Sequence, residues 1–360
     1  MLALTVVFGH AYVIGGFGPE PLSAWSLQQA SSQEMAVKGF FILSGFLLAH
    51  SLSRSPSLGR FAIRRFFRIM PAFWVLLFFS TFVAAPLLVT MIYPGNESGY
   101  AAILHQGEYS PLGYIRNNIF LWIGQDVIIG PQSPLPVVEN GSLWSLFYEA
   151  MCYTLLALCA WIGVTRRRAG VFVLFGILYL PCLVYQFHPF QPPPIRGLAS
   201  MVYNFGFHPS GTRVVLAFSA GMAAHAMTFG RPFWNAKHFT LAMLVLALGL
   251  TYGGFGAIWP VAFPYVLLSL AYRLPFSSFG RPGDASYGVY LYAAMIQHWL
   301  CLFGIHHSGL PVYLGASILL SLAFGILSWL LVERWAIELG RWIIVRYGLG
   351  GKANRSANSS

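Results

Sequence analysis

The sequence predicts an all-α protein with about ten helices crossing a membrane, and three observations carry that expectation. The chain of 360 residues is 57% hydrophobic and only 9% charged, where a soluble domain holds about 25% charged residues. Its mean hydropathy is +0.65. Its cations fall between apolar runs, in every second gap. A net charge of +11 in that placement follows the positive-inside pattern of membrane proteins and argues against a nucleic-acid partner.

A crossing helix needs about 20 apolar residues. The runs at roughly 1–17, 35–53, 69–93, 142–164, 170–187, 212–229, 238–254, 256–272, 286–304 and 311–333 meet or approach that length. Proline and glycine inside them are tolerated in membrane helices. With the N-terminus in the cytoplasm, all Lys and Arg but Lys38, Arg116, Arg196 and Arg213 lie on the inner side. The expectation is one membrane domain over residues 1–349 and a disordered cytoplasmic tail over 350–360. Both termini are then cytoplasmic, and membrane lipids surround the helices. The first run begins at Met1 with no basic segment before it, so it is read as a short or truncated span and not as a cleaved leader.

Taken in order, the runs carry few ionisable residues. His10 lies toward the outer end of the first, and an ionisable group inside a membrane helix is a functional candidate by default. Its near-neutral titration suits a general base. In the second, Lys38-Gly-Phe-Phe-Ile-Leu-Ser44-Gly45, the small pair Ser44-Gly45 allows close helix approach or leaves room for a slender ligand. The third is preceded by Arg60, Arg64, Arg65 and Arg68. Helical spacing puts Arg60, Arg64 and Arg68 on one face, and guanidinium forks match phosphate oxygens. Positive-inside anchoring is the competing explanation.

Glu149 lies a turn or two into the fourth run. A carboxylate there needs a partner, and His10, also placed in the outer half, is the expected one. Arg166-Arg167-Arg168 lacks helical spacing and reads as a topology anchor. The outer gaps 94–141 and 188–211 carry aromatics, amides and prolines, suited to docking a sugar or to serving as lids. The four cysteines (Cys152, Cys159, Cys182, Cys301) sit in apolar runs without metal-ligand spacing, so no metal is expected.

Five segments in order resemble the acyltransferase-3 family, integral-membrane enzymes that O-acylate bacterial glycans. Phe40-Phe-Ile-Leu-Ser44-Gly45-Phe46-Leu is similar to its FFxxSGFL segment, and Arg64-Arg65-Phe-Phe-Arg68-Ile-Met-Pro71 to its RRxxRIxP segment. Ser142-Leu-Trp144-Ser145-Leu-Phe-Tyr148-Glu149 is similar to its LWSLxxE segment and Ser286-Tyr287-Gly-Val-Tyr290-Leu to SYxxYL. Ser328-Trp329-Leu-Leu-Val332-Glu333, with Leu339-Gly340-Arg341, is similar to its closing segment. The chain departs from the family in three places. The Arg eleven residues before the histidine has no counterpart, Ala293 and Ala294 stand where a histidine is expected, and Trp335 replaces a proline.

The resemblance implies an acyl-CoA donor, acetyl-CoA by default, taken from the cytoplasmic side of a bacterial inner membrane. It implies a glycan acceptor, free or lipid-linked, on the outer side. The expected roles are His10 as base oriented by Glu149, and Arg64, Arg65 and Arg68 on the donor's phosphates. The pantetheine arm is expected to pass Ser44-Gly45, and Trp144, Tyr148 and Tyr287 to meet the acceptor. A transporter or flippase for an anionic or lipid-linked molecule is the alternative function.

Overall fold

The computed structural model describes residues 1–54, 57–92, 95, 100–101, 104–105, 109–128, 138–187, 209–228, 234–273 and 284–348. Within them the elements are α1 (Leu2–Ile14), α2 (Pro21–Trp25), α3 (Ser32–Arg54), α4 (Leu58–Phe79), α5 (Ala85–Ile92), α6 (Pro111–Asn118), a two-residue pair of strands β1 (Val127–Ile128) and β2 (Val138–Glu139), α7 (Trp144–Trp161), α8 (Arg168–Phe187), α9 (Pro209–Thr228), α10 (Ala236–Tyr252), α11 (Phe255–Arg273), α12 (Ser286–Leu302), α13 (Leu310–Ser328) and α14 (Arg334–Arg346). The tail 350–360, Arg196, Arg231, Arg281 and the prolines of the second outer gap lie outside the described residues.

Among the described residues, five helical stretches are long and apolar enough to cross a membrane: Ser32–Arg54, Leu58–Met91, Gly141–Trp161, Phe255–Arg273 and Leu310–Arg346. Three more, Leu2–Ile14, Arg168–Val184 and Ala236–Tyr252, are apolar but shorter. Of the other predicted runs, the first, fifth and seventh are helices shorter than a full crossing. At 1.5 Å per residue α1 is about 20 Å long, short of a hydrocarbon layer of about 30 Å. Large apolar side chains on the outer surface (Ile177, Leu319 and Leu331 are each more than 60% exposed) suit a surface facing lipid better than one facing water.

Two long stretches are continuous through a π-helical turn. Ser80–Ala84 joins α4 to α5, and Trp329–Glu333 joins α13 to α14. A π turn inserts one residue into the helix and turns a side chain that would otherwise follow the α register; the second places Glu333 in the interior, 1% exposed. The arginine-rich segment that the sequence placed ahead of the third span is therefore the first half of one helix with it. Ser57 caps that helix by accepting from the Arg60 N–H.

The helices pack through small residues. α3 and α9 approach so closely that a Cβ on Gly45 would lie 2.0 Å from the Phe218 carbonyl oxygen, and one on Gly221 would lie 2.1 Å from that of Ile42. α1 packs against α3, α12 and α13, and α14 against α4. Residues 109–128 and 138–143 pack against these helices. Trp74 Nε1 donates to the Ile119 carbonyl at 2.9 Å, and Thr81 Oγ1 to that of Pro111 at 3.3 Å. The buried Asn118 side chain accepts from the Gly124 and Gln125 N–H groups and donates to the Gln125 carbonyl. The segment ends deep in the protein: Asn140 donates to the Leu291 carbonyl at 3.0 Å, and Tyr290 to that of Ser142 at 2.6 Å. The first turn of α7 thus sits beside the middle of α12.

Candidate active site

Two groups of polar side chains stand apart along α12, one at each end. The first is cationic and is built by α4. Arg60, Arg64 and Arg68 follow one another at helical spacing, as expected, yet their surroundings differ. Arg68 reaches inward, bonding Glu333 at 3.0 Å and Asp284 at 2.5 Å, and lies 5.5 Å over the Tyr287 ring. Two carboxylates bond its fork, and this guanidinium ties α4 to the start of α12 and to the π turn before α14. Arg64 is exposed among the cations Arg60, Arg65 and Arg341. Arg64, Arg65, Arg68 and Arg341 share the wall of a cavity of about 340 Å3 with Phe67 and Ile337. Arg341 was not singled out from sequence as a ligand, although it closes the final motif.

Glu149 belongs to this end. It accepts a hydrogen bond from Tyr153, one turn along α7, and the charges within its reach are Arg68 and Arg65. Arg65 also lies 5.7 Å over the Tyr153 ring. Tyr287, within electrostatic reach of Glu149, is buried and donates to the Ile69 carbonyl at 3.0 Å; its hydroxyl is thereby occupied at the arginine end and not presented to an acceptor at the other.

The second group surrounds His10. α1 and α12 run side by side, joined by Gln297 Nε2 to the Val7 carbonyl at 2.8 Å and by Cys301 Sγ to that of Ile14 at 3.3 Å. His10 stands between those two bonds, and the charged neighbour within its reach is His298. Gln297 Oε1 on α12 and Gln33 Oε1 at the start of α3, which lies against Gly9, are buried without a protein partner among the described residues. The expected His10–Glu149 pair is therefore corrected: no hydrogen bond or ion pair joins them. His10 lies beside the stretch of α12 that carries Gln297 and Cys301, while Glu149 is within electrostatic reach of Tyr287 and Tyr290, nearer its start. α7 starts beside Tyr290, whose hydroxyl bonds Ser145 and the Ser142 carbonyl.

The remaining expected residues divide as follows. Gly45 is covered by the Phe218 backbone, so the space left by its missing side chain holds a neighbouring helix; the neighbouring Ser44 is half-buried. Trp144 and Tyr148 meet edge to face, centroids 5.7 Å apart, and the Tyr148 ring fills the place a side chain on Gly211 would take.

A further charged group went unread in the sequence. Lys38, 2% exposed, bonds Glu34 at 2.9 Å and lies 4.5 Å from the Trp259 ring, while Arg213 bonds the same Glu34 oxygen at 3.1 Å. Its local signal was the i, i+4 spacing of Glu34 and Lys38 on α3; the reach to Arg213 and Trp259 is tertiary.

With this geometry in place, comparison with known proteins decides the family. A family model described as an acyltransferase domain matches residues 1–330. The chain belongs to the acyltransferase-3 family. Among its relatives, an O-acetyl transferase of Shigella phage Sf6 is 26% identical, with 92% of each chain covered. Nodulation protein 10 of Rhizobium leguminosarum bv. viciae is also 26% identical, over 96% of this chain and 93% of that one. The exopolysaccharide production protein ExoZ of Rhizobium meliloti (strain 1021) is 24% identical over 96% of each. No solved structure matches the chain. As a member of this family the protein is an acyltransferase that moves groups other than aminoacyl groups.

Proposed function

We propose that this acyltransferase moves an acyl group, acetyl in the first instance, from acyl-CoA on the cytoplasmic side of a bacterial inner membrane to a hydroxyl of a glycan on the outer side. About ten helices cross the membrane, with the arginine end and both termini in the cytoplasm. The separation of a cationic end from a histidine end along α12 is the observation that carries this reading. A thioester donor needs cations for its phosphates, and a sugar hydroxyl needs a base; the two chemistries face different compartments.

At the cationic end Arg64 and Arg65, with Arg341, hold donor phosphates by charge-assisted hydrogen bonds. Arg68 acts one step back by holding Glu333 and Asp284. Glu149 and Tyr153 set the position of Arg65 and belong to the donor half. At the other end His10 takes the proton from the acceptor hydroxyl as its oxygen attacks the thioester carbonyl carbon. The C–O bond forms and the C–S bond breaks. The CoA thiolate leaves and takes up the proton that His10 received. A general base of this kind contributes about 10²–10⁴-fold to rate. Capture of the acyl group on the His10 imidazole before transfer is a variant of the same chemistry.

The test is mass spectrometry of surface glycans from a deletion strain. Loss of an acyl mass is expected, restored by the wild-type gene and not by His10→Ala at equal membrane abundance. Restoration by His10→Ala would overturn the assigned base, and unchanged glycans in the deletion strain would overturn the acceptor class.

A further inference from the structure

A cavity of about 850 Å3 opens where the ends of α3, α7 and α9 meet the start of α8. Pockets of about 300–1,000 Å3 hold molecules the size of a cofactor or drug. Arg54, Arg166 and Arg168 line it, with His50, His225 and Trp161, and its remaining wall is mostly aliphatic. Among the described residues its lining holds no Asp or Glu.

Its walls are built by local structure. Gly163, at φ 82°, ends α7 in a left-handed turn that a side chain would resist, and the 3-10 turn Val164–Arg166 that follows places Arg166 at the cavity. The His50 and His225 rings meet edge to face at 5.3 Å. His225 keeps a buried Nδ1 with no partner among the described residues, an arrangement that costs free energy unless a ligand or water satisfies it.

We propose that this cavity is a second phosphate-binding site, distinct from the one at Arg64, Arg65 and Arg341, which takes the phosphate-bearing head of an amphiphile. The guanidinium groups hold the phosphate, and Trp161 with its aliphatic neighbours covers the organic part. Two sources supply that chemistry: the nucleotide end of a CoA thioester, or the headgroup of an anionic phospholipid. Only the first rests on the donor assignment above. The site adjoins the donor half, because Leu52 lines both this cavity and the small one at Arg60, Arg64 and Arg65.

The experiment uses the full chain in lipid nanodiscs and compares wild type with the double variant Arg54→Gln, Arg166→Gln. The probes are CoA and 3′-dephospho-CoA by calorimetry in phosphatidylcholine, and the shift in Tm when phosphatidylglycerol replaces part of that lipid. A nucleotide in the cavity predicts CoA affinity about tenfold weaker in the variant, with the difference between CoA and its 3′-dephospho form reduced. A lipid headgroup predicts unchanged CoA affinity and loss of the phosphatidylglycerol shift. Ala160→Trp, which fills the cavity and leaves every cation in place, must reproduce whichever effect is seen. If neither probe distinguishes wild type from both variants, the site is overturned. A wild type that binds no CoA yet shows the phosphatidylglycerol shift would defeat the donor assignment and leave this one standing.

Discussion

At the scale of single residues, the informative side chains are the charged ones that the interior holds in pairs. Glu333 is 1% exposed and bonds both Ser328 and Arg68. Stranding a buried charge costs about 3–5 kcal/mol, but Arg68 keeps Asp284 when the Glu333 charge is removed. Glu333→Gln is expected to lower the Tm of the detergent-purified protein by less than that cost implies, and Arg68→Lys not to restore what Arg68→Ala loses, because one ammonium does not span Glu333 and Asp284 together. An unchanged Tm in Glu333→Gln would show that the pair contributes nothing to folding. The Glu34 group makes a sharper case. Glu34→Gln strands the buried ammonium of Lys38 and is expected to destabilise by about 3 kcal/mol or more. The double variant Glu34→Gln, Lys38→Met removes the stranded charge and is expected to recover most of the loss in the same melts.

At the scale of elements, the contact between α3 and α9 decides what the Ser44-Gly45 step does. A methyl group on Gly45 meets the Phe218 carbonyl oxygen, and the rigid backbone on both sides cannot yield as a side chain would. Gly45→Ala is expected to destabilise by about 1–3 kcal/mol, and Gly221→Ala to do the same from the opposite face. A pantetheine channel at this step predicts something else: an intact fold with a raised KM for acyl-CoA. Melting curves and donor kinetics on Gly45→Ala separate the two outcomes. The bonds of Asn140, Ser142 and Ser145 to α12 are the other decisive contact, since they hold the start of α7 beside Tyr290 and Leu291.

At the scale of the whole molecule, the proposed orientation puts Arg167 and Arg341 in the cytoplasm and Tyr109 outside. Single cysteines at those positions, in a chain whose four native cysteines are replaced by serine, report on this directly. A membrane-impermeant maleimide applied to intact spheroplasts is expected to label Tyr109→Cys and to reach Arg167→Cys and Arg341→Cys only after lysis. Labelling of Arg167→Cys before lysis would reverse the orientation, and with it the side from which the donor enters.

The sequence by itself determined the helical, apolar character of this protein and its family, because both reside in local composition and short motifs: FFILSGFL, the arginine helix and LWSLFYE are each contiguous. It also placed Arg60, Arg64 and Arg68 on one helical face, a matter of spacing alone. Which carboxylate answers which cation was decided only by tertiary structure. Glu149 and His10 are both ionisable residues inside apolar runs, and nothing local tells whether they meet. That depends on where α7 starts against α12, and the bonds of Asn140, Ser142 and Tyr290 across some 150 residues of chain set it. Likewise, no local signal marked Arg68 as satisfied and Arg64 as open: the difference is made by Asp284 and Glu333, more than two hundred residues away.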